Sequence, residues 1–395
     1  MQGRFRGISR TQELPNTLPI SMHYRRFGRT NLSLSVLSLG TMRALASEKV
    51  FRDTLTAGLA MGINHIETAQ GYGTSERWLG AFLKTAVPDN LVITTKITPQ
   101  PDAAAMAQRL EESLERLGLD HIHCLALHGV NTPEHLAWVS DPQGCMAAVR
   151  RFQTEGKIGH VGFSSHGSRE VIEGAIATDQ FDFVNLHYYY FFQRHAPVLD
   201  LATERDMGVF IISPGDKGGL LYTPPAQLKE LCAPFTPLEL TYRWLLSDPR
   251  VTTLSTGPAI PTELAALETL GNQTHPLTAA ELAALERLSA QETAALGSDR
   301  CAQCYDCLPC PEAINIPEVL RLRNLAVAYG MQPFGEYRYR MFENAGHWFP
   351  GRKASHCTDC GDCLPRCPEN LNIPTLLRDT HDRLQGPTRR RLWGD

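Results

Sequence analysis

Eight cysteines fall between residues 301 and 367 of this 395-residue chain, in two runs: Cys301, Cys304, Cys307 and Cys310, then Cys357, Cys360, Cys363 and Cys367. Both runs end in the phrase C-P-E-x-x-N-I-P, so they form an internal repeat. Thiolates packed at gaps of two residues are soft ligands for iron. The second run, C-x2-C-x2-C-x3-C-P, has the spacing of bacterial proteins that carry iron–sulfur clusters, in which the fourth cysteine serves the other cluster. The first run has two residues rather than three before its last cysteine, a change that crossing over would tolerate. Crossing predicts one cluster on Cys301, Cys304, Cys307 and Cys367, and another on Cys357, Cys360, Cys363 and Cys310. Two structural zinc sites are the competing reading, although zinc usually gathers two C-x-x-C pairs across a longer loop. One cluster with unused thiols is a third.

A second constellation lies upstream. Glu67 lies in the run "HIETA" at a strand end, with Tyr72 just beyond it; Lys96 lies at the end of a third strand, in "VITTKI", and His128 ends "LALH". These types suit proton transfer. A free tyrosine, with a pKa of about 10, is a weak acid at neutral pH. A neighbouring ammonium, here Lys96, would lower that value. The four are far apart in sequence, so a fold must bring strand ends to one face.

The chain supplies such a fold. From residue 33, β-branched or apolar runs ("LSVLSLG", "NHIETA", "LVITTKI", "HIHCLALH", "IGHVGFSS", "FDFVNLHY", "GVFIIS", "VTTLSTG") alternate with amphipathic stretches at 48–61, 75–84, 103–117, 144–155, 169–177, 196–206, 238–247 and 262–270. Eight strand–helix units over about 250 residues predict a (β/α)8 TIM barrel, α/β in class, which gathers its strand C-termini on one face. A doubly wound sheet is the alternative, but no G-x-G-x-x-G follows the first strand. The connection 214–237, with five prolines and three glycines, reads as a lid or a disordered loop on that face. The expected organisation is an extension over 1–21, expected to be disordered, then the barrel over 22–296. A small, mainly α-helical iron–sulfur domain follows over 297–385, and a basic tail over 386–395. Met22 offers a second start. In each cysteine repeat the Asn before Ile-Pro is placed to cap a helix with Pro in its first turn.

The strand-end Glu67 with Tyr72-Gly73, the Lys ending the third strand and the His ending the fourth resemble the aldo/keto reductase family over about 22–296. The resemblance implies reduction of a small carbonyl substrate by NADP or NAD. Tyr72 would donate the proton, Lys96 would tune it, Glu67 would hold Lys96, and His128 would position the carbonyl oxygen. The family usually has Asp at the position of Glu67, so the reach differs by one methylene. It also implies that Ser164, Ser165 and Asn185 hold the nicotinamide carboxamide. Ile212 stands before Ser213-Pro214 where a stacking Tyr is usual. Lys217 would reach a phosphate, as would the Gly257 loop with the helix N-terminus near 263. No basic residue follows the last strand, so NADP is only the family's default. The cysteine domain resembles α-helical ferredoxins carrying two 4Fe-4S clusters.

Hydride carries two electrons and a 4Fe-4S cluster passes one, and no flavin signature joins them. The clusters therefore link the barrel to a redox partner protein, or serve stability or sensing, or belong to a non-catalytic redox sensor. The two halves read as separable, so that hydride transfer would survive loss of a cluster. The aromatic block "HYYYFFQRH" reads mainly as core. With Trp78, its Tyr188, Tyr189 and Phe191 would make an apolar substrate wall. A net charge of −4 argues against a nucleic-acid binder, and Arg389–Arg391 reads as a solvated tail. No apolar run approaches the roughly 18 residues of a membrane span, and the start lacks a signal-peptide core, so the expected location is cytoplasmic.

Overall fold

A computed structural model describes residues 22–85 and 87–386. The extension 1–21 and all of the basic tail beyond Gly386 lie outside the described residues. Two short strands, β1 (Tyr24–Arg26) and β2 (Ser33–Ser35), pair antiparallel. Eight more follow: β3 (Leu37–Gly40), β4 (His65–Glu67), β5 (Val92–Ile97), β6 (Ile122–His128), β7 (Ile158–Ser164), β8 (Phe183–Leu186), β9 (Gly208–Ile212) and β10 (Thr253–Ser255). They pair in parallel in chain order, and β10 returns to β3, closing a barrel. The strands are buried along almost their whole length, as parallel strands covered on both faces must be.

The run "LSVLSLG" divides between two elements. Its first half belongs to the hairpin and only Leu37–Gly40 enters the barrel. The hairpin closes the barrel floor: Phe27 and Leu34 pack with Val92, Cys124, Phe183 and Phe210 in a small cluster of their own. Gly208 makes room, since a Cβ there would lie 2.2 Å from the Phe27 ring.

The outer helices follow from local signals. In helix Ala103–Leu117 the buried Met106, Leu110, Ser113 and Leu117 repeat at helical spacing. Asp102 caps it by accepting from Ala105 N at 2.8 Å, and Gly118 ends it in the left-handed region at φ +63°. Helix Pro133–Ser140, between β6 and β7, was not legible in the sequence pattern. The connection 214–237 is folded and includes helix Ala226–Cys232.

Beyond helix Ala279–Leu296 come the cysteine loops and helices Ile316–Tyr329, Gln332–Tyr339 and Ile373–Leu384. Asn315 and Asn372 cap the first and last of these, accepting from the N–H three residues on, with Pro in the first turn of each. The loops repeat in backbone as well as in sequence. Gln303 and Asp359, Tyr305 and Gly361, and Ala313 and Asn370 occupy matching positions, and all have positive φ. One apolar core runs without a break from the barrel into this domain.

Candidate functional site: barrel mouth and cysteine cradles

Four strand-end positions converge at the barrel mouth. Glu67 and Lys96 end adjacent strands, and their side chains form a salt bridge that is 6% and 1% exposed. Lys96 Nζ also donates to Thr68 O at 2.8 Å. The second Glu67 oxygen accepts from Ser255 Oγ at 2.6 Å. Gly40, paired with Glu67 in register, accommodates the longer carboxylate: a Cβ on it would lie 2.4 Å from Ser255 Oγ and 3.1 Å from Glu67 Oε1. Lys96 Nζ stands 4.8 Å from the centre of the Tyr72 ring. That ring meets His128 edge-on, with centroids 5.6 Å apart.

The electrostatics differ in one respect from the sequence expectation. Lys96 does pull the Tyr72 phenol down, but burial pushes it up more strongly and Glu67 adds to that, so its pKa lies above the ordinary value. Tyr72 is therefore a resident proton carrier rather than a standing phenolate. Burial alone would lower Lys96, but Glu67 and Tyr72 outweigh it, and the ammonium is held above its usual range. His128 is driven well below its ordinary value by burial, Lys96 and Lys217. It is neutral, with one N–H to donate.

The residues proposed for the nicotinamide differ among themselves. Asn185 is fully buried, and neither amide atom has a hydrogen-bond partner. Two orphaned atoms of a buried amide match the donor and acceptor of a carboxamide, so this position fits the group. Ser164 Oγ accepts from Gly129 N at 3.0 Å, leaving its proton to donate. Ser165 does not fit: it donates to Val130 O at 2.6 Å and accepts from Gly167 N at 3.0 Å, so it fixes the loop. Ser213 turns the chain after β9 with φ +51°.

Lys217 lines a cavity with His166, His187 and Arg338. At Gly257 the carbonyl accepts from Arg43 Nη1 at 2.8 Å, and Arg43 is bound through both terminal nitrogens to Glu263. Helix Thr262–Ala265 is a single turn, and Glu263 already accepts from Ala259 N at 2.8 Å. Glu263 thus already holds both the Ala259 N–H and the Arg43 guanidinium of this loop. The expected apolar wall is also revised. Tyr188 packs at a tilt against Trp244 and Phe191 against Tyr329, and Trp78 meets Phe51 edge-on. Of that set only Tyr189 lines the cavity.

The cysteines gather in crossed sets. One hollow is lined by Cys301, Cys304, Cys307 and Cys367, and the other by Cys310, Cys357, Cys360 and Cys363. Among the described residues no three His, Cys, Asp or Glu side chains are drawn close enough to hold a single metal ion. Four cysteines around each hollow match the ligand number of a 4Fe-4S cluster.

The two halves, read as separable, are in contact at the site, because the cysteine domain caps the mouth. Trp348 lies on His128 and on His166, with centroids 4.8 and 5.3 Å away. Asn131 Nδ2 is 2.9 Å from His347 Nδ1. Gly129 leaves space for the cap: a Cβ there would lie 2.5 Å from the Trp348 ring, and its φ is +80°. Trp348, His347 and Arg338 escaped the sequence reading. The one visible signal was the run of arginines and aromatics between the two cysteine motifs.

The Aldo/keto reductase family pattern matches residues 36–290, about two thirds of the chain. The chain belongs to the aldo/keto reductase family. A 4Fe-4S dicluster domain matches residues 300–371. Among curated proteins, an uncharacterized oxidoreductase of Bacillus subtilis, YqkF, is 24% identical over 222 residues, 53% of this chain and 70% of its own length. The L-glyceraldehyde 3-phosphate reductase of Escherichia coli is 29% identical over 169 residues, 37% of this chain and 46% of its own. Aldo-keto reductase AKR11C1 from Bacillus halodurans superposes with a TM-score of 0.59 at 24% identity. That match covers 68% of this chain and 96% of the other, and supports the fold alone. Among the described residues no helix is long and apolar enough to cross a membrane. The chain is thus an oxidoreductase of this family whose (β/α)8 barrel is joined to a 4Fe-4S domain.

Proposed function

We propose that the protein reduces a small carbonyl compound with NAD(P)H at the Glu67–Lys96–Tyr72–His128 site. The observation that carries this reading is the buried Lys96 ammonium, held between the Glu67 carboxylate and the Tyr72 ring beside a neutral His128. A nicotinamide bound at Asn185 and Ser164 would supply hydride to the carbonyl carbon. Tyr72 then gives its proton to the carbonyl oxygen, and the product is an alcohol. Lys96 stabilises the phenolate left behind, Glu67 and Thr68 O hold Lys96 in place, and the His128 N–H orients the carbonyl oxygen. General acid catalysis by a positioned group contributes about 10²–10⁴-fold.

The two crossed cysteine sets would each hold one 4Fe-4S cluster. Their first task is to keep the cap on the mouth, and a redox partner protein could then exchange electrons with them. Clusters and free thiols suit a reducing compartment, and we place the protein in the cytoplasm. The test is anaerobic purification with iron and sulfide analysis, followed by NADH and NADPH oxidation against a panel of aldehydes and ketones. Brown protein with about eight irons that oxidises either nucleotide only when a carbonyl is present supports the reading. Zinc without acid-labile sulfide, or no carbonyl-dependent oxidation, contradicts it.

A further inference from the structure

Between the barrel and the cap lies a cavity of about 170 Å³ that the tetrad does not use. It lies next to the tetrad, because Trp348 lines it and also packs on His128. Four cationic side chains line it, Arg194, Lys217, Arg321 and Arg338, against one carboxylate, Glu318. Glu318 is already committed to Arg321, which it meets through both oxygens at 2.8 and 2.5 Å. Among the described residues Arg194, Lys217 and Arg338 have no carboxylate within ion-pair distance. Arg338 is 4% exposed; it donates to Met341 Sδ at 3.4 Å and covers the Phe349 ring, and its Nε–H has no acceptor. Arg194 lies over the Tyr305 ring at 3.5 Å. A cation held in a wall without a counter-charge is costly, and cation–π contacts leave the charge in place.

We infer that this cavity receives the anionic end of the carbonyl substrate, a carboxylate or a phosphate. The inference rests on the carbonyl-reduction reading above and names its substrate class. Three further observations agree. First, the histidines of the wall are neutral: burial drives His166 and His187 well below their ordinary values, His166 adds to the effect on His187, and Lys217 and Arg338 add to both, so neither ring supplies a further charge. Second, His187 and His195 each keep a buried ring nitrogen without a partner. Third, Tyr305 adopts φ +70° where the second cysteine loop has Gly361. A bulky residue in that conformation is strained, and such strain persists where a site depends on it. Here it sets the ring under Arg194. The cap thereby contributes Arg321, Arg338 and the support of Arg194, while the barrel contributes Lys217 and the reacting groups.

The test compares kcat/KM of the holoenzyme for succinic semialdehyde and glycolaldehyde phosphate with that for uncharged butanal. Wild type should prefer at least one charged aldehyde. Arg338→Gln, and Lys217→Gln on its less buried loop, should each cut that preference about 10- to 100-fold, the scale of a lost charge-assisted hydrogen bond. An unchanged preference in the folded variants overturns the inference. So does an unchanged preference with weakened NAD(P)H binding, which would assign the cations to the cofactor's phosphates. Should wild type reduce none of the three, succinate and inorganic phosphate are titrated against its melting temperature. Stabilisation that Lys217→Gln loses would keep the anion site and remove the reductase reading; no stabilisation by either anion removes the site.

Discussion

Trp348 of the cap lies against His128 of the barrel, ring centroids 4.8 Å apart and planes inclined at 60°. The two residues are 220 positions apart in the chain, and their contact ties the cysteine domain to the reacting groups. Trp348 thus forms part of the packing that positions His128. Trp348→Ala should lower kcat/KM for carbonyl reduction about tenfold or more, because small displacements of positioning groups are expensive. Iron content should not change. Full kcat/KM in a variant with normal iron would mean that the cap does not shape the site.

The pH dependence separates two groups. Tyr72 must carry its proton to act, and burial holds its pKa above the ordinary value of about 10. Reduction of a neutral aldehyde at saturation should therefore stay level from about pH 6 to 9. Lys217 behaves differently. Burial and Arg338 lower it, Asp216 and Glu67 raise it, Lys96 lowers it, and the balance is about 8. Its charge is present below that value and lost above it. KM for an anionic aldehyde should rise as pH passes through 8, while KM for butanal stays flat. Parallel profiles for the two substrates would contradict this assignment.

The crossed cysteine sets give a spectroscopic prediction. Cys367→Ala should damage the cluster shared with Cys301, Cys304 and Cys307, and Cys310→Ala the one shared with Cys357, Cys360 and Cys363. Paramagnetic resonance of the reduced variants identifies which signal is lost. Loss of the signal from the Cys357 set in Cys367→Ala would show that each motif closes its own cluster. Both variants should also lose carbonyl reduction in part, since each loosens the cap that carries Trp348 and Arg338.

Nucleotide choice turns on Arg43. With the adenosine ribose at the loop after β10, as the family resemblance places it, Arg43 is the nearby cation, and Glu263 already neutralises it. The wild type should favour NADH. Glu263→Gln frees the guanidinium for a 2'-phosphate, and should shift the ratio of Kd values toward NADPH about tenfold, on the scale of one charged hydrogen bond. No shift would place the ribose elsewhere.

The barrel was legible because parallel strands buried on both faces read as short apolar runs. The Asn caps of the cysteine repeats were legible from local sequence. Convergence of Glu67, Tyr72, Lys96 and His128 needed only the rule that strand ends share a face. What was not legible is what depends on distant contacts. Nothing near Glu67 indicates Ser255 as its second partner, and nothing near Gly129 indicates that Trp348 fills the space of its missing Cβ. Nothing near Lys217 indicates that Arg338 lines the same cavity. The aromatic block showed its apolarity but not which rings face inward. The rising pKa of Tyr72 likewise follows from burial, which the sequence does not state.

The central claim is that Tyr72 delivers the proton. The most direct test is the single-turnover rate of NAD(P)H oxidation by an aldehyde in Tyr72→Phe, with nucleotide binding measured on the same preparation. The rate should fall about 10²-fold or more with the nucleotide Kd unchanged. A variant that binds nucleotide normally and reduces the aldehyde at the wild-type rate would contradict it.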